Sequence, residues 1–352
     1  MWCFTVSEAV SVSIGGKRFD AWSSVQITRA IDSIDTVELS RPFDHSDKSQ
    51  RETFRPISYQ SCVVSVSGET VVTGPLVPVV PESTSESAMV SMGIYSKPGV
   101  LSECQPYQQS YPLKMNGLNL KDITERLIEP FEIRAKFKAP PGEVFKKIEI
   151  SDGTPILQTL AELAQSRGLL ITSSNIGDLV FQSAVSDGTT VAVLQDGFPP
   201  VLGVRPSISP REFYSEITGT KPIRPKSKKT EIFTVQLPYI GNTFRPFIFD
   251  AKNSLDGDIK TAVNAKASRM IGNAISYDVE VATWRDENGR LWKPNTLVQL
   301  SAPGSMIYSS YVFLIRSVVL TQNSDSETAS LQITVPGAFA PGVKLGRLPW
   351  EE

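Results

Sequence analysis

Residues 277–300 read YDVEVATWRDENGRLWKPNTLVQL, and this stretch decides the fold class. Tyr277, Val279 and Val281 alternate with Asp278, Glu280 and Ala282, the period-2 pattern of a strand with one buried face. Asn288-Gly289 is a hairpin turn signal, and TLVQL begins another apolar strand. Trp284 and Trp292 bracket the turn, where paired tryptophans pack across strands or present a contact surface. The alternation puts Trp284 in register with Glu280 and Ala282, opposite the apolar face. Trp284 is therefore expected on the outer face of a barrel, as the candidate interface residue, covering a neighbouring domain or subunit. Pro294 cannot donate to a ladder and ends the returning strand's pairing.

The flanks extend this pattern. Downstream, residues 312–321 form an almost continuous apolar strand, and Ala329, Leu331, Ile333 and Val335 alternate as its antiparallel partner. Upstream, Ile259, Val263, Met270 and Ile271 mark a helix face ending near Gly272. The first 95 residues again read as short strands. Val10, Val12 and Ile14 lead to the turn Gly15-Gly16, and Val25 and Ile27 to Asp32-Ser33. Residues 62–66 and 71–73 flank Gly68, and the polar residues 44–52 read as a loop.

Between the two β portions lies a helical stretch. Asn119 caps a helix burying Leu120, Ile123 and Leu127. Thr154 as N-cap, Pro155 at the first position and Gly168 after the end delimit a second helix, with Ile156, Leu160, Leu163 and Ala164 as its stripe. Residues 169–172 and 179–181 follow as a hairpin. The prolines of residues 198–210 suggest a boundary. The fold class is thus mainly β with α+β inserts. The expected units are 1–95 (first β domain), 96–205 (α+β middle domain, with a small helix-hairpin), 206–340 (second β domain with an entering helix) and a tail, 341–352.

Composition narrows the function. A chain of 352 residues exceeds one ordinary core. A net charge of −2 argues against a nucleic-acid binder, and the basic run of residues 221–229 is too short to reverse that. Cys3, Cys62 and Cys104 lack metal-ligand spacing and read as free thiols of a reducing cytoplasm. The first ten residues lack the pattern of a signal peptide, and no run approaches the roughly 20 apolar residues of a membrane span. Catalysis finds little support. His45 is the sole histidine and sits in a polar loop, no nucleophile elbow exists, and Gly15-Gly16-Lys17 lacks the rest of a phosphate loop. No catalytic, cofactor or metal residue is assigned, and the chain is expected not to be an enzyme.

The stretch 277–300 resembles the C-terminal hairpin of Mu-type phage baseplate hub proteins, whose pattern is W-x-D-x-x-G-x-L-W-x-P-N. Trp284, Asp286, Gly289, Leu291, Trp292, Pro294 and Asn295 match it. Residues 10–31, 151–181 and 251–272 resemble the family's opening hairpin, central helix-hairpin and last entering helix, so the likeness covers nearly the whole chain. Residues 103–116 and the tail after Pro341 match less clearly. The resemblance implies two tail-tube-like antiparallel β-barrels per subunit and a homotrimer at the centre of a contractile-tail baseplate. Six barrels would meet the six-fold tail tube, and the three-fold underside would meet the trimeric central spike. Tail tube or tape-measure proteins and baseplate wedge proteins are the further partners, and DNA only passes through the lumen. The place implied is the virion, after assembly in the host cytoplasm, without membrane insertion. Two other readings stand beside it: a carbohydrate-binding or carbohydrate-degrading tail protein, with aromatics on one exposed face or two acids in one cleft, and the equivalent hub of a bacterial contractile injection system.

Overall fold

Alternating apolar residues build the first unit. Its strands are β1 (Val10–Ile14), β2 (Lys17–Phe19), β3 (Ser24–Ala30), β4 (Thr36–Pro42), β5 (Ser61–Val66), β6 (Glu69–Ser83) and β7 (Ala88–Tyr95). The computed structural model describes residues 7–146, 148–222, 230–237, 243–251, 259–340 and 346–351. Cys3, most of the basic run and the start of the C-terminal tail lie outside them. Val10, Val12 and Ile14 of β1 and Val25 and Ile27 of β3 point into one core. Gly68 takes a φ of +87° in the β5–β6 turn, which suits glycine. The polar segment expected to be loop contains a helix, α1 (Lys48–Thr53), whose N-cap Asp47 accepts from the amides of Ser49 and Gln50. It has no apolar stripe, so periodicity could not reveal it.

The middle unit holds α2 (Leu120–Ile128), β8 (Ala135–Phe137), α3 (Ile156–Ser166), β9 (Leu170–Ser173) and β10 (Leu179–Gln182). Asn119 and Asp122 form a reciprocal capping box on α2. The N-cap of α3 is Pro155, one residue later than expected, and the Ile156 amide finds the Cys104 carbonyl at 2.9 Å instead of a Thr154 side chain. Its far end follows the expectation. Gly168 has φ +67°, and the Gly168 and Leu169 amides return to Gln165 and Ala164. β9 and β10 pair antiparallel, and β8 joins β10 in parallel. Leu160, Leu163, Leu127 and Phe181 share this unit's own core.

The rest comprises β11 (Thr190–Gln195), β12 (Val201–Ile208), β13 (Glu216–Pro222), β14 (Thr230–Gln236), β15 (Pro246–Asp250), α4 (Ile259–Ala274), β16 (Ile275–Val281), β17 (Leu297–Ala302), β18 (Ile307–Asn323) and β19 (Glu327–Thr334). The stretch 198–210, expected as a boundary, contains β12, an edge strand paired to β16 in which Pro206 is tolerated. β14, β13 and β15 form a small separate sheet under α4. A Cβ on Gly219 would lie 2.5 Å from Val263, so glycine lets this sheet approach the helix.

A single long strand joins the two β portions. The second half of β18 pairs with β3 from Ser317↔Ala30 to Asn323↔Ser24, while its first half pairs with β17 and its other side with β19. The main path therefore runs β12-β16-β19-β18-β3-β4-β7-β6-β5-β1-β2, with β11 reached through β17. Residues of both portions, from Val10 to Leu348, belong to one contiguous core. Each portion curls back on itself. β2 and β3 end one path and are linked by residues 20–23, and β11 and β12 end the other and are linked by residues 196–200. Among the described residues no ladder closes either into a barrel.

Candidate assembly interface

The tryptophan stretch is a rivet inside the chain. β16 ends at Val281 and the backbone bends at Ala282, so period-2 register stops there. That bend corrects the expected outward Trp284. Its ring is fully buried in the core, and its indole N–H donates to the carbonyls of Thr328 at 2.9 Å and Thr321 at 3.3 Å. Trp292 is buried beside it and donates to the Thr283 carbonyl at 2.9 Å. The flanking strands do not pair with each other as a hairpin. β16 lies between β12 and β19, and β17 lies between β11 and β18. The bridge Arg285↔Leu291 closes the loop, with the Trp292 amide donating to the Trp284 carbonyl at 2.9 Å.

Three further residues of the motif, Asp286, Gly289 and Asn295, have physical tasks. Asp286 accepts from the amides of Asn288 and Arg290 at 2.8 and 3.0 Å, folding the turn, and Gly289 supplies a φ of +70°. Asn295, at φ +62°, accepts from the Val185 amide and donates to the Ser183 carbonyl, fastening the chain that enters β11. Glu287 accepts from the Val193 amide at 2.9 Å, and Asn288 donates to the Val191 carbonyl. These side chains cover the outer edge of β11 and keep it from recruiting another strand.

Arg285 ties this loop to the start of the chain. It grips both carboxylate oxygens of Glu8 and donates to Glu69 at 2.9 Å. Burial works against the charged form of Glu8, but the Arg285 and Ser67 hydrogen bonds outweigh it and hold its carboxyl below the usual range. The Glu327 carboxylate in turn accepts from the Ser7 hydroxyl and the Glu8 amide.

A second lock, absent from the sequence reading, fastens the middle unit. Arg29 and Asp35 flank the β3–β4 turn, and Arg29 donates to Asn175 Oδ1 at 2.7 Å in the β9–β10 turn. The Asp35 amide donates to Ser173 Oγ, the Thr172 hydroxyl to the Ala30 carbonyl, and the Thr73 hydroxyl to the Asn175 carbonyl. Arg29 and Asp35 are not assigned a role by the sequence, and the folded β9–β10 turn brings Asn175 to Arg29. A third cluster sets Asp32 between Arg269 and Arg316, at 3.5 and 3.6 Å, with both guanidinium groups against the Phe339 ring.

His45 is exposed beside Asp44, whose carboxylate is occupied by the Ser46 amide and hydroxyl. Cys62 is buried, which pushes its thiol up to about 12, and Cys104 is half-buried; both are free thiols. Among the described residues no group of three or more His, Cys, Asp or Glu side chains is placed to hold a metal, and no helix is long and apolar enough to cross a membrane.

Residues 9–92 match the family described as Mu phage baseplate assembly protein GpP-like, N-terminal, and residues 99–183 match the baseplate hub protein gp44-like second domain. The baseplate hub protein gp44 of Escherichia phage Mu is 22% identical over 97% of this chain and 92% of that protein. The chain resembles Mu-type baseplate hub proteins. Solved structures agree with this. The 43 kDa tail protein of prophage MuSo2 from Shewanella oneidensis superposes with a TM-score of 0.78 at 25% identity, covering 94% of this chain and 99% of that one. The tail protein from Neisseria meningitidis MC58 shares the fold, with a TM-score of 0.79 at 20% identity over 96% and 99% of the two chains. In this Mu-type hub-like chain the tryptophan motif is therefore a lock of the subunit, with both rings withdrawn from solvent.

Proposed function

We propose that this chain is a structural subunit of a phage-type baseplate hub and carries out no catalysis. Three copies form a ring with a lumen, in which two barrel-like units per chain give six around the axis. One face of the ring meets a six-fold tail tube, and the three-fold opposite face seats a trimeric central spike. Tube or tape-measure proteins and baseplate wedge proteins complete its contacts, and DNA passes through the lumen. The place of action is the tail of the virion, after assembly in the host cytoplasm and without membrane insertion.

One observation carries this reading. Two β portions that each curl back on themselves are joined by the β18–β3 ladder into one continuous sheet. A rigid pair of similar units is what a three-fold ring needs to present six-fold contacts. The proposed division is 1–95, 96–205 and 206–340, with tail 341–352; β11 and β12, which fall largely in the middle unit, pair with strands of the last. The gp44 relative supports the role, since it is named a baseplate hub protein. Electron microscopy of the purified protein tests it. Top views are expected to show a three-fold ring with six peripheral lobes and an open centre. Compact particles without a central opening would overturn the ring.

A further inference from the structure

The joined sheet has free strand edges. Among the described residues β12 has a ladder only on its β16 side. The Val204 carbonyl is covered by the Ser305 hydroxyl, and from Arg205 to Ile208 the strand is exposed. Leu202 on the same strand is 58% exposed. On the first β portion β6 outruns β5. Their ladder stops at Pro75, the Gln60 carbonyl still takes the Leu76 amide, and among the described residues β6 has only β7 beside it from Val77 on. Val80 there is 59% exposed, and Glu82 and Glu86 crown the β6–β7 turn.

These two edges complement each other. Leu202 offers apolar surface on the strand that carries Arg205, and Val80 offers it beside Glu82 and Glu86. Among the described residues none of the three charges has an ion partner. Two different, matching patches, one on each β portion, make a head-to-tail contact, which generates a ring when its rotation closes. We propose that the β12 edge of one copy seats against the free stretch of β6 in the next copy, with Arg205 facing Glu82 and Glu86. This contact rests on the ring reading above and names the surfaces that close the ring. Pro78, Pro81 and Pro206 lack amide hydrogens, so the contact is made through side chains rather than a continuous ladder. The same prolines keep the edges from open-ended strand addition before assembly.

Charge reversal and its repair test the contact, read as mass by sedimentation at a concentration where the native protein has three times the chain mass. Arg205→Glu is expected to fall to one chain mass while keeping the circular dichroism spectrum of the folded chain, since the residue is exposed. Adding Glu82→Arg and Glu86→Arg to it is expected to restore three. Leu202→Glu, which alters no existing charge pair, is expected to dissociate the ring as well. If Arg205→Glu stays at three chain masses, or the combined variant stays at one, this contact is overturned while the ring reading stands. A native protein of one chain mass at every concentration overturns the ring reading, and this contact with it.

Discussion

Arg29 and Asp35 form an ion pair at 3.1 Å that water barely reaches, and it sits where the first β unit meets the β9–β10 turn. The guanidinium serves both sides of that junction, pairing with Asp35 on its own unit and donating to Asn175 on the other. Removing Arg29 would strand a buried carboxylate, and such losses cost about 3–5 kcal/mol. Arg29→Ala is expected to destabilise the chain on that scale in denaturant unfolding.

Burial, only partly offset by Arg29 and Ser173, raises the Asp35 carboxyl to about 6 from its ordinary 3.8. Between those values the folded chain keeps a proton that the unfolded chain releases. Asp35 therefore favours the fold most below pH 3.8, and that contribution is lost as pH rises through about 6. The stability of native protein relative to Asp35→Asn should fall across this window and level off above it. Unfolding midpoints for both proteins at a series of pH values check the slope. A difference that rises or stays flat from pH 4 to 6 would contradict the assignment.

Leu160 is fully buried in the α3 stripe against the middle unit's core. Leu160→Ala should cost about 2–5 kcal/mol. Amide exchange should locate the loss in α3 and β9, and a cost under about 0.5 kcal/mol would mean that the stripe is not packed as described.

Trp284→Ala should cost about 3–5 kcal/mol, because it empties a large core site. Trp284→Phe should cost less, since it keeps a ring but leaves the Thr328 carbonyl without its donor. Thermal unfolding of the two variants measures both, and equal costs would mean that the ring retained by phenylalanine contributes nothing.

Arg285→Ala should release the start of the chain. Loss of charge-assisted bonds to Glu8 is worth about 1.5–3 kcal/mol, and the Glu8 amide should exchange with solvent much faster. Unchanged exchange there would show that the Glu327 contacts hold the segment alone.

The strands were legible because one buried face forces alternation, as Val10–Ile14 and residues 329–335 illustrate. The Asn119 and Gly168 caps were legible because they are local chemistry. The inward turn of Trp284 was not, since a single bend at Ala282 cancels the register that strict alternation assumes. The β18–β3 ladder was hidden for another reason. Its partners stand almost 300 residues apart, and nothing in either strand names the other. The Arg29–Asn175 bond is equally non-local, with 146 residues between its ends.

The most direct test of the central claim is the mass of the purified native protein in solution, taken by light scattering over a wide concentration range. Three times the 38.6 kDa chain mass is expected. A chain that stays monomeric at the highest concentration, alone and with a trimeric spike protein added, would contradict it.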